Sequence, residues 1–190
     1  EPGPGESIFR HISVVGAPSG GAQPMRQVFW LSFRAAQERL YVTNPYFVPD
    51  AMMRRVLKAR ARAGVDVRVL VPNRYIDVKP IRWASHALFE ELLAAGVRIY
   101  EYQPTMIHQK IAVIDGVWSL VGSANLDVRS KELNQENLLG ILDAGFAREL
   151  EETFFADLAC AKEVELKEFR RRSLLWRIPE RVAALFEKQV

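Results

Sequence analysis

A mixed, mostly parallel β-sheet flanked by helices on both faces is the α/β fold class this sequence predicts, and three observations predict it. Helix-period and strand-period stretches alternate from residue 24 to residue 102, the order that produces parallel strands joined by crossover helices. An Asp-Gly pair at 115–116 then separates two extended apolar runs, a hairpin signal. The chain has 190 residues, 49% of them hydrophobic and 26% charged, enough apolar content to cover both faces of a sheet in one domain.

Each element has a local reason. Residues 1–23 are rich in Gly, Pro and Ser around the apolar run 12–15 and read as linker plus one short strand. Pro24 suits a first helical turn, and Met25, Val28, Phe29, Ser32, Ala36 and Leu40 follow at helical spacing. Residues 40–43 form a strand ending in the turn-prone Asn44-Pro45. Asp50 is an N-cap for a helix with its apolar stripe at Met52, Met53, Val56, Leu57 and Ala63, and Gly64 stands just past its end. The unit repeats as strand 65–71, helix 81–95 stopped by Gly96, and strand 97–102. Beyond it lie extended runs 107–114 and 117–121, a strand at 137–142 and a helix at 146–158. The expected division is a linker and first strand at 1–23, one α/β domain at 24–160, and a basic amphipathic helical tail at 161–190.

Composition excludes several classes. The balance of apolar and charged residues argues against disorder, and eleven glycines with ten prolines argue against a fibrous repeat. No run approaches eighteen uninterrupted apolar residues, so no segment is expected to span a bilayer. The first residues, EPGPGES, carry neither a methionine nor a signal-peptide pattern, and the chain reads as a segment of something longer. The lone Cys160 forms no intrachain disulfide; it suits a reducing compartment and a helix interior. Residues 51–75 hold Arg54, Arg55, Lys58, Arg60, Arg62, Arg68 and Arg74 against the single acid Asp66, a pattern expected of a solvated face.

The hairpin carries the chemistry. With Asp115 and Gly116 as the two central residues of a type I′ turn, Ile114 opposes Val117, Lys110 opposes Val121 and His108 opposes Ser123. Side chains two apart share a face, so Lys110 joins His108 and Asn125 joins Ser123. An imidazole, an ammonium, a hydroxyl and a carboxamide then converge beside Gly122. Such a group fits a phosphate: Lys110 brings fixed charge, Ser123 and Asn125 bring neutral donors. The His108 imidazole is of the type that attacks phosphorus or passes a proton. A nucleophilic imidazole needs its second nitrogen held, and Glu136, at the start of a strand, is the candidate carboxylate. Singly, each has a structural explanation: Lys110 as an edge charge, Ser123 and Asn125 as turn formers, Asp115 as the turn residue of Asp-Gly.

HQKIAVIDGVWSLVGSAN, residues 108–125, resembles the HxK-x4-D-x6-GSxN signature, the HKD motif of the phospholipase D superfamily. The flanks NPYFVPD (44–50), AGVDVRVLVP (63–72), AGVRIYEYQP (95–104), NLDVRSKELNQEN (125–137) and FFADL (154–158) resemble, more narrowly, the C-terminal catalytic half of bacterial cardiolipin synthases. The resemblance implies a phospholipase D-like domain that performs phosphatidyl transfer without a metal or other cofactor. His108 would be the nucleophile forming a phosphohistidine, or its acid/base counterpart; Lys110, Ser123 and Asn125 would bind phosphate, Glu136 would orient His108, and Asp115 would support the motif. It also implies phosphatidylglycerol as substrate, glycerol as leaving group and residence at the bacterial cytoplasmic membrane.

Family sites use two HxK motifs, whereas His11 and His86 have no HxK context. The chain is therefore expected to supply one half-site, completed by an N-terminal half or by a second copy. The rival expectations are a homodimeric phosphodiesterase or nuclease tracking nucleic acid along 51–75, though nucleic acid is the less expected partner, and a catalytically silent lipid-binding half. His86 is expected to be partly exposed. Tyr46 and Phe47 are candidates for a lipid entrance or for plain core. Arg170–Arg172 with the Leu/Trp/Phe-rich stretch after them is a candidate for contact with an anionic membrane surface.

Overall fold

Residues 10–16, 24–127 and 136–172 are described by the computed structural model, and within them local sequence signals set the element ends. Strand β1 is Arg10–Gly16. Helix α1, Pro24–Ala35, starts at the proline and buries Met25, Phe29 and Phe33 along one side. Strand β2 (Arg39–Thr43) leads to α2 (Ala51–Arg62), whose first turn is capped by the Asp50 carboxylate accepting from Met53 N at 2.9 Å. Strand β3 (Asp66–Pro72), helix α3 (Lys79–Leu93) and strand β4 (Arg98–Tyr102) complete the repeated unit. The helix begins two residues before its expected start, because Pro80 fits its first turn. There follow β5 (Ile111–Ile114), β6 (Trp118–Gly122), β7 (Glu136–Leu142), α4 (Ala144–Ala159), the short strand β8 (Ala161–Glu163) and α5 (Leu166–Arg171).

The eight strands form one sheet in the order β1-β7-β6-β5-β2-β3-β4-β8. It is mixed, as expected, but "mostly parallel" is corrected: only β2–β3 and β3–β4 run parallel. The hairpin meander β5–β6–β7 joins β2 antiparallel, and both edge strands, β1 and β8, also pair antiparallel. Both faces are covered. On one, Phe29, Phe33, Leu57, Phe89 and Phe169 from four helices pack on Val42, Val69, Ile99 and Leu120 of the sheet. On the other, Phe154 of α4 stacks on Tyr41 at 5.1 Å, with Leu70 and Tyr100 beside them.

The hairpin register is also corrected. Asp115 and Gly116 adopt φ of +52° and +64°, and Val117 N donates to Ile114 O at 3.2 Å, as a type I′ turn requires. Val117 is then an extra residue: its carbonyl accepts from Asp143 N at 3.0 Å, and Ile114 pairs with Trp118 rather than with Val117. This bulge shifts every later pair by one, so Gly122, not Val121, lies opposite Lys110 and donates to its carbonyl at 3.2 Å.

The expected boundary at residue 160 does not hold either. Residues 161–163 extend the sheet beside β4, and Phe169 of α5 is buried in the main core. Cys160 is exposed at the end of α4 rather than inside it. Residues 173–190, with the apolar part of the expected tail, lie outside the described residues, as does most of the expected N-terminal linker. Among the described residues no helix is long and apolar enough to cross a membrane.

Candidate functional site

The loops at the C-terminal edge of the parallel strands, where open α/β sheets bind ligands, hold His108 and Lys110. Lys110 directly precedes β5, whose first residue pairs with Thr43, the last of β2. The antiparallel meander therefore delivers the HxK segment to the same edge as the loops after β2 and β3. His108 is exposed and Lys110 half-buried. Lys110 Nζ lies 3.0 Å from His108 Nδ1 and 3.3 Å from Nε2, and donates to the His108 carbonyl at 2.9 Å. Burial holds the Lys110 ammonium below the ordinary lysine value, against the pull of Glu136, Asp77 and Asp127, whose negative charges favour the cation.

Tyr46 also packs against the imidazole, its ring edge-on to it at 6.1 Å and 83°. The Tyr46 hydroxyl donates to the Asp77 carboxylate at 2.8 Å. Burial, with Asp77 second, pushes the Tyr46 phenol up to about 12. Thus Tyr46 belongs to the site, although half of the entrance expectation fails: its neighbour Phe47 is fully buried core. Asp77 and Asp127 were not singled out by the sequence. Asp127 stands two residues past Asn125, a spacing that points to it only in hindsight, and nothing in the sequence marks Asp77.

Asn44 brings the second half of the motif to this edge. Its buried Oδ1 accepts from both Tyr46 N and Leu126 N at 3.2 Å, and Val48 N donates to Leu126 O at 3.1 Å. The expected turn residue is a bracket between the 44–50 and 123–127 loops. Asn125 and Asp127 are buried on the bracketed loop. Ser123 is exposed and its hydroxyl accepts from Asn137 N at 3.0 Å, one residue from the buried Glu136. Gly122 is required by close approach: a Cβ there would fall 2.1 Å from Asn137 O and 3.0 Å from Leu138 Cα.

Two expected roles look different in place. The direct His108 opposition of Ser123 is lost with the register shift, and the Ser123 hydroxyl is instead held against the start of β7 by Asn137 N. Among the described residues the contacts of the imidazole are Lys110 and Tyr46, so the expected Glu136–imidazole bond is not among them; Glu136 acts on Lys110. Asp115 is at the far end of the hairpin. Its carboxylate accepts from Gln37, Glu38 and Arg39 N at 2.9, 2.8 and 3.0 Å. Burial disfavours that charge, but the three N–H groups and the Arg39 guanidinium outweigh it and hold the carboxyl below its ordinary value. Asp115 fastens the turn to the start of β2.

Elsewhere, the basic run is largely engaged. Arg54 and Lys58 both pair with Glu91, Arg60 reaches the Ala36 carbonyl at 3.4 Å, and Arg68 pairs with Asp66 at 2.8 Å. His86, expected to be partly exposed, is buried; Glu101 accepts from it at 3.0 Å and from Arg82 at 2.8 Å. These residues line a pocket of about 550 Å³ between α3 and α5, where Arg172 closes over the Phe169 ring at 3.3 Å. Among the described residues no three His, Cys, Asp or Glu side chains gather as a metal-ligand set.

Comparison with known proteins bears on the family and the fold. The family model described as "Cardiolipin synthase, PLD-like domain" matches residues 32–158. A cardiolipin synthase of Clostridium perfringens strain SM101 is 36% identical over 172 residues, 90% of this chain and 36% of that protein. Cardiolipin synthase A of Pseudomonas fluorescens is 39% identical over 170 residues, 88% of this chain and 35% of that protein. The chain thus spans about a third of the length of these relatives. In fold it is similar to a phospholipase D family member, Nuc from Salmonella typhimurium, with a TM-score of 0.70 at 20% identity, over 82% of this chain and 99% of that one.

Proposed function

This chain belongs to the family of PLD-like domains of cardiolipin synthases, and on that premise we propose that it supplies one of two half-sites of a phosphatidyltransferase at the bacterial cytoplasmic membrane. The observation that supports the reading most is the meeting of His108 and Lys110 at the C-terminal sheet edge, beside a loop that carries Ser123 and Asn125.

In this reading Lys110 and Asn125 bind the phosphodiester of phosphatidylglycerol, with the Ser123 hydroxyl at the rim. One histidine of the paired sites, His108 or its counterpart, attacks phosphorus through a ring nitrogen. The P–O bond to the glycerol headgroup breaks, and the other histidine protonates the departing alkoxide. A primary hydroxyl of a second phosphatidylglycerol then attacks the phosphohistidine, giving its proton to that same second histidine as the P–N bond breaks. The sum is two phosphatidylglycerols to one cardiolipin and one glycerol. Glu136 sustains the charge of Lys110, and Tyr46 walls the imidazole. The nuclease reading draws its support from the basic run at 51–75, but Arg54, Lys58 and Arg68 of that run are ion-paired within the domain.

The test is incubation of the complete protein containing this half with phosphatidylglycerol vesicles. Cardiolipin and free glycerol formed in equal amounts are expected. Phosphatidate as the main product would replace the transferase reading with a hydrolytic one.

A further inference from the structure

The loop after β3 is built to hold apolar side chains out in water. Ile76 and Ile81 are buried in a small satellite core with Val48, Ala84 and Leu88, and Asn73 fixes the loop start by accepting from Tyr75 N at 2.9 Å. So anchored, the segment exposes Tyr75 (47%), Val78 (38%) and Trp83 (36%). Lys79 and Trp83 are one helical turn apart and share a face. Basic groups accompany them: Arg74 lies over the Tyr75 ring at 5.1 Å, and Lys79 is hydrogen-bonded to the Arg74 carbonyl. The segment's only acid, Asp77, is bound by the Tyr46 hydroxyl, which ties the loop to the wall of the His108 site.

We infer that the segment from Arg74 to Trp83 is the rim by which the active-site edge seats on an anionic phospholipid bilayer. The inference rests on the phosphatidyl-transfer reading, because a site for a lipid phosphodiester must face the lipid surface. Tyr and Trp are suited to the interface, with apolar ring bodies and polar tips. Arg74 and Lys79 complement anionic headgroups, each contributing about fivefold in affinity, the equivalent of about 1 kcal/mol. Scattered exposed apolar residues need no explanation; here three fall within nine positions among cations, Tyr75 and Val78 on the loop tied to the site through Asp77, and Trp83 on α3, which follows it, at the mouth of the pocket between α3 and α5.

The experiment is co-sedimentation of the full chain with vesicles of phosphatidylglycerol and phosphatidylcholine, and with phosphatidylcholine alone. The Tyr75→Ser/Val78→Ser/Trp83→Ser variant should bind the anionic vesicles at least tenfold more weakly, and Arg74→Gln/Lys79→Gln about 25-fold more weakly. The charge variant touches only exposed side chains, so it decides the matter if the apolar variant fails to fold. Binding of the charge variant within twofold of wild type overturns the inference, as does a variant that loses self-association while keeping vesicle binding. Binding is read without turnover, so an absence of transfer activity bears on the reaction alone.

Discussion

Replacing Asp115 tests whether the aspartate of the motif serves the fold or the chemistry. Its carboxylate accepts three backbone N–H groups, from Gln37, Glu38 and Arg39, at 2.8–3.0 Å. A hydrogen bond to a charged group contributes about 1.5–3 kcal/mol when its donor is shielded. Only the Arg39 bond is part-buried; the other two donors are exposed and rehydrate when the acceptor is removed, so they add about 0.5 kcal/mol each. Alanine is also strained at φ +52°, where aspartate and asparagine are tolerated. Asp115→Ala should therefore lose about 3 kcal/mol in urea denaturation at pH 7, and Asp115→Asn about half of that. The folded carboxyl lies below its ordinary value. Its contribution is therefore complete above the unfolded value of about 4 and is lost as pH falls through it toward the folded value. The gap between wild type and Asp115→Asn should then shrink on going from pH 7 to pH 3. A loss under about 0.5 kcal/mol for Asp115→Ala, outside the usual cost of a lost charged bond, refutes the reasoning. So does an Asp115→Asn enzyme that is stable and inactive.

Other outcomes follow from the same structure. Gly122→Ala drives a methyl into the β7 backbone and should cost about 2–3 kcal/mol, an overpacking penalty seen as a lower urea midpoint; an unchanged midpoint contradicts the close approach. The Ser119 hydroxyl is fully buried without a hydrogen-bond partner among the described residues, so Ser119→Ala should leave stability unchanged or raise it by up to about 1 kcal/mol. Phe169→Ala should lose about 3 kcal/mol, because α5 belongs to the main core; an exposed-residue effect, below about 0.5 kcal/mol, would restore the boundary at residue 160.

Much of the architecture is legible in the sequence because its signals are local. Asp50 before an apolar stripe, Pro24 at a helix start and Asp-Gly between extended runs each act over a few residues, and each reappears as an element end. What escapes is set by long-range pairing. Whether Val117 enters the ladder depends on Asp143, which captures its carbonyl, and no turn rule reports that partner. The proportion of parallel strands depends on where the β5–β7 meander docks, not on its own pattern. Three-residue β8 is too short for any periodicity. In the candidate site, His108, Lys110, Ser123, Asn125 and Glu136 lie in one stretch of sequence, whereas Tyr46 and Asp77 come from two other loops and meet through a single hydrogen bond.

The central claim is that the His108 imidazole takes part in phosphorus chemistry. It is tested most directly by measuring cardiolipin formation from phosphatidylglycerol by the complete enzyme carrying His108→Ala, with folding checked by thermal denaturation. A folded variant with turnover below about a thousandth of wild type, the scale of losing a nucleophile or a general acid, is predicted. A folded variant that still makes cardiolipin at the wild-type rate would contradict the account.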